Sequence, residues 1–381
     1  MLTNIVRAIG AALLLLATVP PTPAAAQTPL TIAKQGYLFV GQHVSKIDGA
    51  EVMGDQMYVE YQIPARRRHR WPVVMVHGGG QSGTNFTGTP DGREGWAQYF
   101  LRRGYAVYVV DQVGRGRSAY RPELYAKATA LDMGFLFRRF IAPEKYGLWP
   151  QARLHTQWPG KPELGDPVTD EFIASQLPSI SDFPQQQKLN RAALDALLDR
   201  IGPAIILTHS QSGSFGWPVA DDRPKLVKAL LQIEPSGPPV HDVESIGAPD
   251  WFRDVAAVKP WGLGFEKLTY APAAEDASQM SFVREDKADA PDLVRCWKQA
   301  EPARQLPRLA AMPILIVTSQ ASYHAPYDHC TVKYLEQAGV KPSVIRLADV
   351  GITGNNHMMM LEKNNQAIAR VIADWTDAHV K

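Results

Sequence analysis

Ser210 stands at a point of the sequence where a serine side chain could act as a nucleophile. The apolar run 204–206 predicts a buried strand, and the residues from Gly213 onward are compatible with a helix. In the turn between them, Thr208 and Ser212 take the positions that glycines usually occupy in a G-x-S-x-G nucleophile elbow. Small residues are needed there because strand and helix crowd together, which pushes the serine hydroxyl out above the sheet. The pattern predicts a nucleophilic serine, although serines between small residues are also common in ordinary turns.

A serine nucleophile needs a base to take its proton, and the base is usually a histidine held by a carboxylate. With a strand–turn–helix nucleophile, the order along the chain is serine, acid, histidine. His357 lies in the turn-rich loop 351–357, between the last predicted strand and the last predicted helix. Such a loop delivers a side chain to the carboxyl edge of the sheet, so His357 is the predicted base. The other histidines after Ser210 lie in irregular segments or near the chain end: His241, His324, His329 and His379.

Two acidic residues could orient the imidazole. Glu234 ends the apolar strand that follows the serine strand, whereas Asp328 lies beyond the next strand, the commoner place for the acid. A carboxylate at the tip of a buried strand needs a partner, because removing a charge from water is costly. Asp328 has polar neighbours in the sequence, which suggest a solvated acid. The comparison favours Glu234 and leaves Asp328 as the alternative.

The tetrahedral intermediate of acyl transfer requires backbone N–H donors for its oxyanion. We expect one from Gln211, directly after the nucleophile, and the other from Gly79 or Gly80 in the glycine-rich turn that begins at His77. Glycine there lets the backbone approach a substrate closely. Gly80 and Met358 are expected to line the substrate pocket, with core packing as the alternative for Met358. His77 is interpreted as a structural hydrogen-bonding residue.

The sequence has no motif with the spacing of a metal or cofactor site. The loop 111–118 has glycines after a predicted strand, but it has neither a G-x-G-x-x-G spacing nor a Walker lysine, so a tight turn is predicted. His324, His329 and Cys330 lie near one another without an ordered ligand spacing. We therefore expect neither a metal nor a cofactor.

Strands that alternate with helices predict an α/β protein with a doubly wound, mostly parallel sheet. Two segments, 119–183 and 235–309, leave the sheet at the carboxyl ends of strands and are rich in aromatic and charged residues and proline. Loops of that length are usually functional or disordered, and the many Trp and Tyr residues argue against disorder. We therefore predict cap segments over the pocket within one domain, 27–381. The predicted strands are 36–40, 57–63, 72–76, 105–111, 204–206, 226–233, 313–318 and 343–347, and the predicted helices are 96–103, 187–201 and 358–379.

The first residues of the chain predict an export signal, not a part of the fold. Arg7 precedes the apolar stretch 8–19, which is too short for a comfortable membrane span, and 24–26 offers a cleavage site. We predict a signal peptide at 1–26, a mature chain that starts at Gln27, and no stable membrane insertion. An uncleaved anchor is the alternative. The predicted location is the periplasm or the outside of the cell.

Composition limits the classes of partner. Charged residues make up 20% of the 381 residues and nearly cancel, at a net charge of +2, so we expect no nucleic-acid partner. The hydrophobic content of 45% is ample for a large core. In an oxidising compartment we expect Cys296 and Cys330 to form a disulfide, with two buried thiols as the alternative. The oligomeric state stays open, and a homodimer is one expected arrangement.

These motifs together resemble the α/β-hydrolase superfamily over nearly all of the mature length, and more narrowly a branch of exported bacterial carboxylesterases. In that branch the acid is a glutamate after the sixth strand, which implies Glu234 over Asp328. The branch is similar to esterases that demethylate sulfonylurea herbicides, which implies a small alkyl ester of an aromatic acid as a conceivable substrate. The cap segments are least shared, so the resemblance supports a reaction type better than a substrate. The matching stretches are MVHGGGQSGTN (75–85), THSQSG (208–213), EPSG (234–237) and GNNHMM (354–359).

The sequence thus predicts a serine carboxylesterase that hydrolyses a small carboxylic ester through an acyl-enzyme. Ser210 would attack the carbonyl, His357 would move the proton, and Glu234 would orient and stabilise the imidazolium. The alternative within enzymes is a lactone or amide hydrolase of the same fold. The alternative outside enzymes is a binding protein on the same scaffold. A pure binder has no need of serine, acid and histidine together, which favours an enzyme.

Overall fold

An eight-stranded sheet forms the centre of the protein in a computed structural model that describes residues 28–381. The predicted signal peptide at 1–26 and the predicted mature terminus Gln27 lie outside the described residues. The strands of the sheet, in chain order, are Ile32–Val40 (β1), Met57–Pro64 (β2), Val73–Val76 (β3), Val107–Asp111 (β4), Ala204–His209 (β5), Val227–Ile233 (β6), Ile314–Thr318 (β7) and Ser343–Arg346 (β8).

The strands lie in the order β1-β2-β4-β3-β5-β6-β7-β8. β2 pairs antiparallel with β1 and β4, and all other neighbours in the sheet are parallel. Every residue of β3 and β5 is buried, as expected for parallel strands covered on both faces. The prediction of a mostly parallel, doubly wound α/β sheet is confirmed. The carboxyl ends of β3, β5, β6 and β7 meet at one edge, so the residues that follow them converge.

Helices cover both faces of this sheet. Phe100 and Ile372 belong to one buried cluster, while Leu197 and Trp217 belong to a second cluster that meets the alternate residues of the strands. Among residues 28–381, the helices of eight residues or more are Trp96–Arg103 (α1), Pro167–Ala174 (α2), Phe183–Ile201 (α3), Gly213–Asp222 (α4), Asp328–Gln337 (α5) and Asn365–His379 (α6). The shorter α-helices are Thr84–Thr87, Met133–Leu136 and Pro307–Ala310.

The segments 119–183 and 235–309 lie outside the eight-stranded sheet and follow β4 and β6. The first contains α2, the helix Met133–Leu136, the π-helical turn Phe137–Ile141, the 3-10 turns Pro143–Lys145 and Pro150–Leu154, and the strand pair Ala128–Thr129 with Ser179–Ile180. The second contains the strand pairs His241–Gly247 with Trp251–Val258 and Phe282–Arg284 with Trp297–Gln299, and the 3-10 turn Ala277–Gln279. The remaining elements are the hairpin His43–Ile47 with Ala50–Gly54 and the 3-10 turns Ser210–Ser212 and Leu347–Val350.

Several elements differ from the sequence prediction. The strand predicted at 36–40 begins at Ile32, and the helix predicted at 187–201 begins at Phe183. The last helix begins at Asn365 and not near Met358, because residues 358–364 form turns in which Asn365 N–H donates to the carbonyl of Glu362 at 3.0 Å. The helix α5, which starts at Asp328, was not predicted. Its apolar positions are few, so the sequence carries little helical periodicity there.

The predicted disulfide is present between Cys296 and Cys330. It joins the segment 235–309 to α5, the helix that follows β7. Within residues 28–381, no helix combines the length and the apolar character that a membrane span requires.

Candidate active site

Ser210 is held in a strained backbone conformation at the carboxyl end of β5. Its φ angle is +57°, in the left-handed region that non-glycine residues rarely adopt. Ser236 N–H donates to the Ser210 carbonyl at 2.8 Å, and Ser212 Oγ donates to the Val76 carbonyl at 2.8 Å. A Cβ on Gly213 would lie 2.5 Å from the backbone of the 235–236 turn, which explains why only glycine follows Ser212. These contacts fix a sharp strand-to-helix turn with the serine at its apex.

His357 and Glu234 form a buried pair at the same edge of the sheet. His357 Nδ1 donates to Glu234 Oε2 at 2.6 Å, and both side chains are almost fully buried. Two serines that follow β7 donate further hydrogen bonds to this carboxylate. Ser319 donates its backbone N–H to Oε1 at 2.8 Å, and Ser322 Oγ donates to Oε2 at 2.7 Å. The structure therefore gives Glu234, and not Asp328, as the carboxylate that contacts His357.

Burial sets the protonation of this pair. Burial, and then the nearby His324 and the positive charge of Arg139, lower the pKa of His357 well below its usual 6.5. Burial also raises the pKa of Glu234, while the hydrogen bonds from Ser319 and Ser322 act in the opposite direction and favour the carboxylate. The imidazole is therefore neutral at pH 7, the state that a general base requires.

The hydroxyl of Tyr323 approaches both the serine and the imidazole. It is 3.2 Å from His357 Nε2, and it is also within hydrogen-bonding reach of the Ser210 side chain. Sequence reasoning missed Tyr323, because no motif marks it. The phenol hydroxyl contacts the ring nitrogen that would accept the serine proton. Tyr323 therefore interacts with both Ser210 and His357.

The glycine-rich turn after β3 faces the turn of Ser210. A Cβ on Gly78 would lie 2.9 Å from Ser210 Cβ, so the close approach of the two turns requires glycine. The backbone N–H of Gly80 donates to Ser179 Oγ at 3.1 Å and is already engaged. This favours Gly79 over Gly80 as the second oxyanion donor beside Gln211, whose side chain lies 3.6 Å from the position of a Gly79 Cβ.

Arg115 connects the turn after β3 to the turn of Ser210. Its guanidinium donates to the Gly78 carbonyl at 2.7 Å and to Gln211 Oε1 at 3.0 Å, and the side chain is buried. Burial lowers the pKa of Arg115 to about 9. His77 is held by Gln112 N–H at 3.0 Å, consistent with its predicted structural role. The loop 111–118 was predicted as a plain turn, but it supplies the residue that aligns the predicted oxyanion donors.

Comparison with known proteins shows which family this chain belongs to. The sequence profile described as the Alpha/beta hydrolase family matches residues 73–371. The chain belongs to that family. It is 43% identical to a protein named probable secreted lipase phiG, from Fungal sp. (strain ATCC 74256), over 323 residues that cover 84% of this chain and 85% of that protein. The solved structure of a novel bacterial esterase superposes with a TM-score of 0.59 at 24% identity, covering 95% of this chain and 100% of that one. The superfamily resemblance drawn from the sequence is confirmed.

This alpha/beta hydrolase carries a second histidine–acid pair beside the first. His324 Nδ1 donates to Asp328 Oδ1 at 2.9 Å, and the His324 ring stacks on that of His357 with centroids 4.7 Å apart. Burial lowers the pKa of His324 to about 4 and raises that of Asp328 well above its usual value. The expectation that Asp328 is solvated was wrong: α5 turns it inward, where Thr318 Oγ1 donates to it at 2.7 Å. The spacing of four between His324 and Asp328 is the signal that could have indicated the pair.

A cavity of about 450 Å³ opens in front of Ser210. This is within the size range of small-molecule sites. Gly80 lines it as predicted, but Met358 does not: Met358 is buried in the core, where its Sδ accepts from Gln81 Nε2 at 3.2 Å. Its remaining lining comes from the turns and from both inserted segments and includes Gly79, Gln211, Leu131, Phe135, Arg139, Phe140, Asp242, Val243, Tyr323 and His324.

A larger cavity, of about 580 Å³, is lined by residues that include Asp328, Lys333 and Arg346. Ser210 lines the smaller cavity and not this one, and His357 lines neither of the two.

Among residues 28–381, Glu234, His324 and His357 place potential metal ligands within 4.8 Å of one another. Both oxygens of Glu234 already accept hydrogen bonds, and His324 Nδ1 is bound to Asp328. The other cluster, Cys296 with His329 and Cys330, has its two sulfurs joined in the disulfide. A metal would have to displace existing partners at either cluster.

Proposed function

We propose that this protein is a serine carboxylesterase that cleaves a small carboxylic ester through an acyl-enzyme. The observation that carries the proposal is the set of contacts around His357. Its Nδ1 is bound to the buried Glu234 at 2.6 Å, and its Nε2 faces the hydroxyl of Tyr323 beside the strained Ser210. These contacts support the assignment of a nucleophile, a base and an orienting acid to one site.

In the proposed mechanism, Ser210 Oγ attacks the ester carbonyl while His357 Nε2 takes its proton. The imidazolium that forms is stabilised by Glu234, and it then protonates the leaving alkoxide. The backbone N–H groups of Gly79 and Gln211 hold the oxyanion, and Arg115 keeps both in place. Water, deprotonated by the same imidazole, hydrolyses the acyl-enzyme and restores the serine hydroxyl. These steps use only side chains and backbone groups of this chain, with no cofactor.

The relatives support an ester substrate and export. A relative at 43% identity is named a secreted lipase, and the sequence begins with a segment typical of a signal peptide. We therefore propose a periplasmic or secreted enzyme with no stable membrane insertion. The cavity of about 450 Å³ favours an ester with short to medium chains over one with two long acyl chains.

The decisive experiment is hydrolysis of a short-chain aryl ester by the purified mature protein. The proposal predicts a burst of released phenol and a covalent acyl adduct on Ser210 in mass spectrometry of quenched samples. Ser210→Ala should lower kcat by roughly 10⁶-fold, the order seen when a serine nucleophile is removed. Ser278→Ala, at an exposed serine of the segment 235–309, is the matched control and should leave activity unchanged.

Full activity of folded Ser210→Ala protein would overturn the serine mechanism. A wild-type protein that binds esters without cleaving any of them would instead support the binding-protein alternative. Faster turnover of lactones or activated amides than of matched esters would move the assignment to the alternative hydrolase.

A further inference from the structure

Arg139 occupies a position in the substrate cavity that the proposed mechanism does not use. It lies in the π-helical turn Phe137–Ile141, and turns of this kind occur frequently at functional sites. The carbonyls of Arg139 and Phe140 each accept a hydrogen bond at 2.9 Å from Asn356 Nδ2, on the residue next to His357. The backbone of Arg139 is therefore fixed relative to the catalytic histidine.

Aromatic rings hold the side chain of Arg139 as well. The guanidinium carbon lies 4.4 Å from the centroid of the Tyr323 ring and 5.5 Å from that of Phe135. Stacking of this kind engages the faces of the planar guanidinium and leaves its N–H edge available for hydrogen bonds. The edge is the part that binds a carboxylate in a bidentate manner.

The charge of Arg139 has no acidic partner among the described residues. In the part of the chain from residue 28 to 381, no carboxylate oxygen lies within 4.0 Å of its guanidinium, whereas the adjacent Arg138 reaches Asp132. The other charged residue of the cavity lining, Asp242, is ion-paired with the buried Lys259. The cavity thus has one uncompensated charge, and it is positive.

An uncompensated cation at this place opposes the proposed reaction. The positive charge of Arg139 contributes to lowering the pKa of His357, which must become an imidazolium in the transition state. A bound anion would offset the charge of Arg139 and so favour the imidazolium form of His357. The arrangement therefore suits a substrate that brings its own negative charge.

We propose that Arg139 binds an anionic group of the substrate, so that the preferred ester also carries a carboxylate, one phenol ring away from the reacting carbonyl. Tyr323 would connect the anion-binding guanidinium to the proposed catalytic histidine, because its ring contacts Arg139 and its hydroxyl contacts His357. This inference rests on the proposed esterase function and adds a substrate class to it.

The test uses pairs of substrates that differ only in charge: monomethyl esters of linear dicarboxylic acids of increasing length, and the corresponding esters with a primary amide in place of the acid. The comparison is made at pH 8, with the chain length that gives the highest activity. There the wild-type enzyme should show a kcat/KM for the acid that is roughly 10- to 100-fold above that for the amide. This is the range expected for a hydrogen bond to a charged group. Arg139→Gln should abolish that ratio, and Arg139→Lys should retain part of it. Arg138→Gln is the matched control and should preserve it, because Arg138 does not line the cavity.

Because each ratio is taken within one variant, loss of folded enzyme does not affect it. Equal kcat/KM for acids and amides in the wild type, or an acid preference that survives Arg139→Gln, would overturn the inference. Calorimetry provides an independent readout: dicarboxylic acid monoesters should bind Ser210→Ala protein more tightly than the amides, and Arg139→Gln in that background should remove the difference. If no ester is cleaved but this difference is found, the esterase proposal fails and the anion site stands.

Discussion

His155 and Glu362 form a buried ion pair that joins the segment 119–183 to the loop of the proposed catalytic histidine. His155 Nε2 lies 2.9 Å from Glu362 Oε1, and that carboxylate accepts the backbone N–H of Asn356 at 3.0 Å. Glu144 binds the other ring nitrogen of His155 at 3.0 Å. Although burial alone would lower the pKa of His155, its hydrogen bonds to Glu144 and Glu362 raise it to about 9. The cation thereby positions the residue that precedes His357.

This pair predicts a loss of stability on the alkaline side. A histidine whose pKa is raised from 6.5 to about 9 on folding contributes stability that is complete below pH 6.5 and is lost as pH rises through about 9. His155→Gln, which leaves Glu362 buried without a cation, should lower the free energy of unfolding by roughly 3–5 kcal/mol at pH 6. Urea unfolding between pH 6 and 10 measures both effects. The exposed His43→Gln is the control, and an equally steep alkaline loss in His155→Gln protein would contradict the assignment.

The pH dependence of activity should reflect the lowered pKa of His357. An ordinary imidazole would give an acid limb near pH 6.5, but burial, His324 and Arg139 all lower this pKa. The base must be neutral, so kcat/KM should remain at its plateau at pH 6.5 and fall only at lower pH. Stopped-time assays in buffers of constant ionic strength measure the profile. A half-maximal point at or above pH 6.5 would show that the imidazole is not shielded as the structure indicates.

The two acids should differ in their effect on catalysis. Glu234→Gln removes the charge that contacts His357 Nδ1 and should lower kcat by roughly 10³- to 10⁴-fold with little change in KM. Asp328→Asn should lower kcat by less than about tenfold, because Asp328 acts on His324 and its raised pKa makes it resemble the neutral amide already. Steady-state kinetics of both variants tests this. The reverse order of effects would reassign the acid while leaving Ser210 in place.

Arg115 should act as a positioning residue for the oxyanion donors. Lysine keeps the charge but cannot contact the Gly78 carbonyl and Gln211 Oε1 together with a planar fork. Arg115→Lys should therefore lower kcat by roughly 10- to 100-fold while KM changes little, because the oxyanion forms only in the transition state. Arg117→Lys, on the same loop but partly exposed, is the control. A change in KM alone would assign Arg115 to substrate binding and not to oxyanion alignment.

The local features of this protein could be predicted from its sequence. Continuous apolar runs indicated the strands of the parallel sheet, and the Thr-His-Ser-Gln-Ser-Gly turn placed Ser210 at the carboxyl end of β5. The loop position of His357 and the strand-end position of Glu234 followed from the same pattern. These predictions succeed because strand, turn and helix are determined by residues near one another in the chain, and because parallel strands bring their carboxyl ends to one edge.

Several contacts at the site were not predicted and became visible only in the tertiary structure. Asp328 looked solvated in the sequence, but the start of α5 turns it inward beneath Thr318, so it pairs with His324. Arg115 and Arg139 belong to segments without a motif, and only the folded chain shows that one braces the turns and the other lacks a counter-ion. Such roles depend on how long segments return to the sheet edge. Their course is set by the packing of side chains and by contacts with other segments of the chain, which no local pattern records.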